Sequence, residues 1–283
     1  MHLDPVDPDA VPALTNAEAA PPDGAPGGEA LARATAARLA RLGALHERLI
    51  ADGSRALLVV LQARDAGGKD GTVRHVGSAF DPGACRVTAF GVPSREEARH
   101  DYLWRAHAAC PPRGAVGIFN RSYYEDVLAV RVRGLAPESV WSRRYRQIAE
   151  FERMLTDEGT TVVKLFLHVS RAEQARRLRA RLDNPLKHYK YDPGDLDDRA
   201  LWDDYTRAYR AVLRKTSTAR APWYVVPADG KKVRDYLVAG VLVRALEAMD
   251  PTPREFAPGR LAALRAELDA RLAAGTPRAA GAA

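Results

Sequence analysis

The stretch that most constrains this chain is Ala56-Leu57-Leu58-Val59-Val60-Leu61, six apolar residues with no polar interruption. A strand with one face in a core alternates apolar and polar side chains. An unbroken apolar run therefore predicts a strand covered on both faces, as in a parallel sheet with helices above and below it. The run leads into Gly67-Gly68-Lys69, where paired glycines end the strand and a helix starts near Lys69. Further along, residues 85–90, 115–119, 161–169 and 223–226 read as strands, and 29–51, 95–109 and 137–157 as helices. The first helix carries Leu31, Leu39, Leu42, Leu45 and Leu49 at helical spacing and stops at Gly53. This alternation predicts an α/β fold of three layers, a parallel sheet flanked by helices, with ligands at the carboxyl ends of the strands.

The 283 residues, 46% hydrophobic and 28% charged, suit a soluble chain with one large core. The N-terminus is acidic and proline-rich, without the apolar segment of a secretion signal. No apolar run approaches the roughly 18 residues needed to cross a bilayer. The expected location is cytoplasmic, with no membrane partner. Cys85 and Cys110 lack metal-binding spacing and read as small buried hydrophobes. Residues 1–28 hold little to bury and read as a disordered acidic tail, 275–283 as a second tail, and 29–274 as the folded domain. Six acids and no Lys or Arg fall within residues 1–32. The net charge of +7 for the chain therefore becomes +13 for residues 33–283. Such a body suits a polyanion: a phosphate chain, a nucleotide, nucleic acid or an acidic membrane surface.

The turn after the first strand, Ala63-Arg64-Asp65-Ala66-Gly67-Gly68-Lys69-Asp70-Gly71-Thr72, approximates the phosphate-loop pattern GxxxxGK[ST], with Ala63 in place of the first glycine and Asp70 in place of Ser or Thr. Glycines here let successive N–H groups of Ala66, Gly67, Gly68, Lys69, Asp70 and Gly71 curl around one anion. The helix start adds partial positive charge, and Lys69 a full one. Without the usual hydroxyl, carboxylates must hold a metal, and Asp65 is placed inside the loop to do so. The third strand runs into Asn120-Arg121-Ser122-Tyr123-Tyr124-Glu125-Asp126. Asn120 stands where a metal-binding acid is usual, so Asn120, Glu125 and Asp126 join Asp65 as metal candidates, and Arg121 is placed to neutralise a moving phosphoryl group. A helix-start ion pair between Arg121 and Glu125 is the plainer alternative.

Ser94 and Glu97 form a capping-box pair, followed by His100-Asp101-Tyr102-Leu103-Trp104-Arg105. Asp101 and Arg105, four apart, are either a surface ion pair or part of the site. Between the fourth and fifth strands, residues 176–190 contain four Arg and two Lys against one acid. Arg177 and Arg181 can face one phosphate from a helix, Lys187 follows, and residues 176–215 are expected to form a helical lid.

These motifs, in this order, resemble those of the family 2 polyphosphate kinases over about residues 30–250. The family has a similar altered phosphate loop with an internal Asp and GKDGT, an HDxLWR segment near its nucleotide or phosphate-chain site, and a comparable lid. Ala221-Pro222-Trp223-Tyr224-Val225-Val226-Pro227 also matches it. Phe119-Asn120-Arg121-Ser122-Tyr123-Tyr124-Glu125-Asp126-Val127 resembles the subgroup credited with using both AMP and ADP. The resemblance implies a P-loop kinase-like fold and transfer of phosphoryl groups between inorganic polyphosphate and AMP or ADP (or GMP or GDP). It also implies Mg²⁺ with Mn²⁺ as an alternative, nucleotide contacts from Asp101 and Arg105, and a homo-oligomer. Asp65, Lys69, Arg121, Arg177 and Arg181 are the expected catalytic residues, and nucleic acid is not the expected partner. Two other readings stay open on the residues alone. One is an ATP-dependent kinase of a nucleoside or other small molecule. The other is a non-catalytic polyphosphate- or RNA-binding protein.

Overall fold

The computed structural model describes residues 1–275. The elements run α1 (Gly28–Asp52), β1 (Ala56–Ala63), α2 (Lys69–Gly77), β2 (Cys85–Ala89), α3 (Trp104–Ala109), β3 (Val116–Asn120), α4 (Ala129–Val132) and α5 (Glu138–Asp157). Then follow β4 (Thr160–His168), α6 (Arg171–Leu182), α7 (Gly194–Ala200), α8 (Trp202–Thr216), β5 (Trp223–Pro227), α9 (Lys231–Met249) and α10 (Pro258–Gly275). The five strands are parallel in the order β2-β3-β1-β4-β5. β1 lies at the centre, and all eight of its residues are buried.

One core fills the space between the sheet and α1, α2 and α9, and includes Leu42, Leu49, Leu61, Val238 and Leu242. The other lies between the sheet and α3, α5 and α8, and includes Phe119, Ile148, Phe166, Val212 and Trp223. The chain leaves β1 toward β2 and β3 on one side and returns to β4 and β5 on the other. The order therefore reverses at β1, and a crevice opens at its carboxyl end. No described helix is long and apolar enough to cross a membrane.

The second core contains a buried charge network. Lys164 of β4 donates to Glu152 of α5 (2.5 Å), to the Thr216 carbonyl at the end of α8 (2.6 Å) and to the Tyr124 hydroxyl (3.1 Å). Tyr123 and Tyr124 donate to the same Glu152 carboxylate at 2.9 and 2.8 Å. The network ties the turn after β3 to α5, β4 and α8. Lys164→Met leaves the Glu152 charge buried without its cation. Thermal unfolding is expected to show a loss of about 3–5 kcal/mol, roughly 10 °C in Tm, with partial recovery on adding Glu152→Gln.

Three readings of the sequence differ from the structure. The segment 1–28, expected to be a disordered tail, runs along the domain. The Val6 amide donates to the Trp223 carbonyl (2.7 Å), Ser217 donates to the Val6 carbonyl (2.8 Å), His168 Nε2 donates to the Thr15 carbonyl (2.7 Å), and Leu14 and Ala19 are buried. Its composition is poor in core-forming residues, but β5 is an edge strand whose polar backbone groups the segment engages. The helix expected over 95–109 is instead a 3₁₀ turn (Glu97–Arg99) followed by α3. The capping pair forms, with the Ser94 amide donating to Glu97 (2.7 Å) and the Glu97 amide to Ser94 (3.2 Å). Asp101, however, accepts the Leu103 amide (2.9 Å) and restarts the chain. Lastly, α8 of the expected 176–215 lid buries Tyr205, Ala208, Tyr209, Val212 and Leu213 in the second core. Exposed apolar side chains (Leu182, Leu186, Tyr189, Leu196) mark the portion that stands off the body. The 275–283 tail lies outside the described residues beyond Gly275.

Candidate active site

The loop between β1 and α2 turns as the glycines require. Gly68 has φ of +105°, and a Cβ there would land on the Arg234 guanidinium. A Cβ at Gly67 would meet the Ala63 Cβ at 2.6 Å and the Arg64 carbonyl at 2.8 Å. Ala66 (φ +57°) and Arg121 (φ +62°) are two of four non-glycine residues in the left-handed region among the described residues. Both sit at this site, where strained backbone usually marks a geometry held for function. Lys69 folds beneath the loop, and its Nζ donates to the Ala63 carbonyl at 2.9 Å.

Above the loop lies a cavity of about 830 Å³. It is lined by loop residues 65–71 with Arg74 of α2, by Asn120 and Arg121 at the end of β3, and by Arg176, Arg177 and Arg181 of α6. The lid turn contributes Lys187, Tyr189 and Lys190, and the start of α9 contributes Lys231 and Arg234. Ten Lys and Arg side chains face four Asp. Of the cations, Arg74, Arg176, Lys190, Lys231 and Arg234 were not read from the sequence as site residues. Lys190 lay within the noted basic run. Arg234 carried no signal, because α9 is buried nearly all round and shows no amphipathic period.

Arg121 is held next to the loop by its own amide, which donates to the Leu61 carbonyl (3.0 Å). Its guanidinium lies between two carboxylates, Asp65 at 2.5 Å and Glu125 at 3.7 Å. Burial works to raise the Asp65 pKa, but Lys69 and Arg121 outweigh it and hold the carboxyl below its ordinary range. Burial dominates at Glu125 and raises its pKa against the pull of Arg121 and Lys69. Arg177 is buried; it donates to the Ala66 carbonyl (3.0 Å) and to the Ala228 carbonyl (2.5 Å) and pairs with Glu173. Arg181 pairs with Asp195 at 2.7 Å. Across the cavity, Lys190 of the lid reaches Asp70 in the first turn of α2 at 2.5 Å, and Asn120 donates to the same carboxylate at 3.0 Å. The lid thus touches the phosphate loop on both sides.

Several expected site residues stand elsewhere. Asp126 follows Glu125 but points away, pairing with Arg144 at 2.9 Å, and burial pushes its pKa up to about 6. It does not line the cavity and is withdrawn as a metal candidate. Asp101 and Arg105 do not pair with each other and do not line the cavity either. Arg105 donates to the Gly91 carbonyl (2.9 Å) and lies over the Phe90 ring, bracing the wall that Phe90 and Gly91 form. Among the described residues, no three His, Cys, Asp or Glu side chains gather as a metal cage. The donors still fit Mg²⁺, which commonly takes one or two carboxylates and completes its shell with phosphate oxygens and water. Asp65 and Asp70 face the cavity, with Asn120 beside them.

Lys69 gives a pH signature. Burial, then Arg121, lowers its pKa to about 8, with Asp65, Glu125 and Asp70 opposing. The free enzyme loses this charge as pH rises through about 8, so kcat/KM for a phosphate substrate is expected to fall above that pH. Bound phosphate favours the charged amine, so kcat at saturation should fall less. Lys69's own contribution to stability has the opposite sign. A lysine whose pKa is lowered on folding binds fewer protons when folded, and it gains stability as pH rises from about 8 toward its unfolded value. Rate profiles and thermal melts over the same pH series separate the two effects.

A parallel sheet reversing at β1, a glycine loop and lysine at that reversal, and a cationic lid over it define a P-loop kinase-type phosphotransferase. The sequence profile of polyphosphate kinase 2 matches residues 28–254. This chain belongs to the polyphosphate kinase 2 family. It is 54% identical over 223 residues to the AMP/ADP-polyphosphate phosphotransferase of Meiothermus ruber, covering 79% of this chain and 84% of that one. It is 43% identical over 232 residues to the ADP-polyphosphate phosphotransferase of Rhodopseudomonas palustris, covering 78% and 80%. The crystal structure of polyphosphate kinase 2 from Arthrobacter aurescens superposes with a TM-score of 0.81 at 44% identity, covering 93% of this chain and 91% of that one.

Proposed function

We propose that the protein transfers phosphoryl groups between inorganic polyphosphate and AMP or ADP, with the guanine nucleotides as alternatives. The observation that carries this reading is the charge of the cavity. Ten cations against four acids exceed what a single phosphate monoester of about −2 calls for, and the cavity of about 830 Å³ has room for more than one phosphate group. Two anions held end to end account for both. Family membership and the activities for which the relatives are named support the same substrates.

In the forward direction the terminal P–O bond of polyphosphate breaks as an oxygen of the acceptor phosphate attacks in line. The shortened chain leaves with the electron pair. The acceptor phosphate, with a second pKa near ~6, is mostly ionised at neutral pH and needs little deprotonation. The task of the protein is to cancel repulsion between two anions. Lys69 and the loop amides hold the phosphates, and Arg121 stabilises charge on the moving group. Arg177 fixes the loop through Ala66, and Arg181 and Lys187 close the basic roof, which excludes water. Asp65, with Asp70 and Asn120 close by, is assigned to holding Mg²⁺, with Mn²⁺ as a substitute; the ion would supply further neutralisation of the phosphates.

The test is incubation of purified protein with polyphosphate, Mg²⁺ and either AMP or ADP, with product nucleotides separated by chromatography. ADP and ATP are expected from AMP, and ATP from ADP. Absence of phosphorylated product from every acceptor would rule the reading out. Product only when a nucleoside and ATP replace these substrates would mark an ATP-dependent kinase instead.

A further inference from the structure

Asp65 reaches the cavity, but the residue before it points the opposite way. Arg64 is only 7% exposed, buried beneath the base of the lid and outside the lining of the main cavity. Its guanidinium stacks on Trp202 with 4.0 Å from carbon to ring centroid, and lies 5.7 Å from the Tyr209 ring. It donates to the Trp202 carbonyl (3.3 Å) and the Thr206 hydroxyl (2.5 Å), in the first two turns of α8. The proposed mechanism does not use this arginine. Its burial works against its charge and lowers its pKa to about 10, an unusual investment for a loop residue.

The other face of Asp65 is tied to the lid as well. Gln174 of α6 donates to the Asp65 carbonyl (3.1 Å), and Arg199 of α7 donates to the Gln174 side chain (2.9 Å). At the α7–α8 junction, Asp198 receives two bonds from Arg133 (2.8 and 2.7 Å) and one from Tyr205 (3.0 Å). The base of the lid is therefore held in place, and two of its contacts with the loop fall on adjacent residues: α8 takes the Arg64 side chain and Gln174 takes the Asp65 carbonyl. Between them is a cavity of about 20 Å³, lined by Arg64, Asp65, Glu125, Gln174 and Asp198 among others. Arg64 Nε and Nη1 are buried without partners at this spot. The space suits one water molecule, which can accept from Arg64 and donate to a neighbouring carboxylate.

We propose that Arg64 is a positioning residue that couples the base of the lid to the phosphate loop. Gripping Trp202 and Thr206, it fixes the Arg64-Asp65 peptide, and through Asp65 it sets the Arg121 guanidinium at 2.5 Å from that carboxylate. Movement of the lid base then changes the placement of Asp65, assigned to the metal, and of Arg121, assigned to the moving phosphoryl group. The catalytic half of this inference rests on the proposed function.

Arg64→Met keeps an unbranched side chain of comparable length and removes a buried charge, a change cores commonly tolerate. The variant is expected to stay folded while kcat falls about 10- to 100-fold, with KM for polyphosphate within about threefold, as for a small misplacement of catalytic groups. Arg64→Lys keeps the charge but loses the planar stack and fork, and should not restore kcat. Trp202→Leu should produce a similar loss, and the double variant should be no worse than either single one. An unchanged kcat in Arg64→Met, or losses that multiply in the double variant, would overturn the proposal.

Hydrogen exchange of the unliganded protein reads the same coupling without reference to catalysis. Trp202→Leu is expected to speed exchange of the 65–71 amides about tenfold in the parent and to have no added effect in the Arg64→Met background. Exchange at 65–71 that ignores Trp202 would overturn the coupling even in an active enzyme. A parent protein inactive on polyphosphate but showing the exchange coupling would defeat the functional reading alone.

Discussion

Replacing Lys69 with alanine is expected to lower kcat/KM for transfer from polyphosphate by about 10³-fold or more, because the amine sets a full positive charge directly beneath the loop. The fold should survive. Lys69 makes one hydrogen bond, to the Ala63 carbonyl, and its buried charge is already opposed by desolvation and by Arg121. Removing it leaves one carbonyl short of a partner, a cost of about 1–3 kcal/mol. Steady-state rates paired with circular dichroism and thermal melts separate the two effects. A variant that keeps its Tm within several degrees and retains more than about a tenth of the rate would contradict the role given to this lysine.

Arg121→Ala is expected to be comparably damaging to rate and more damaging to structure. The guanidinium lies between the Asp65 and Glu125 carboxylates. Without it, two acids face each other in a partly buried space, offset by Lys69 and, at Asp65, by Arg181. Arginines that stabilise a transferring phosphoryl group contribute about 10³–10⁵ in rate. The expected kcat loss falls at the lower end, since Lys69 remains. Arg121 also holds a left-handed backbone (φ +62°), so Arg121→Gly should be more stable than Arg121→Ala and equally slow. Adding Glu125→Gln to Arg121→Ala should restore part of the lost Tm and none of the rate. Equal Tm values for the parent and Arg121→Ala would show that this arginine does not hold the two acids together.

Much of this was legible in the chain itself, for specific reasons. β1 could be read because burial on both faces leaves an uninterrupted apolar run, and the loop because Gly67 and Gly68 have no substitute in that geometry. α9 could not be read for the converse reason: buried nearly all round, it has no polar stripe to set a period, and Arg234 was lost with it. Glu125 and Asp126 show the limit of adjacency. Both follow the same strand, but on a 3₁₀ turn neighbouring side chains diverge, one toward Arg121 and the other toward Arg144. Asp101 and Arg105 had helical spacing but no continuous helix to realise it. Arg64 was passed over because one-dimensional motifs do not say which side of a loop a residue serves.

The strap formed by the first residues bears on where this protein can be cut or extended. The family profile begins at residue 28, and a boundary drawn there discards the peptide that satisfies His168 through Thr15, the Asp229 amide through Ala19 and the Trp223 carbonyl through Val6. His168 ends β4, immediately before the helix that carries Arg177, and Asp229 precedes the turn into α9. Trimming to the profile would bare a pairing-competent sheet margin and loosen two supports of the cationic roof at once. An affinity handle is therefore better joined beyond α10 than spliced onto a shortened N-terminus.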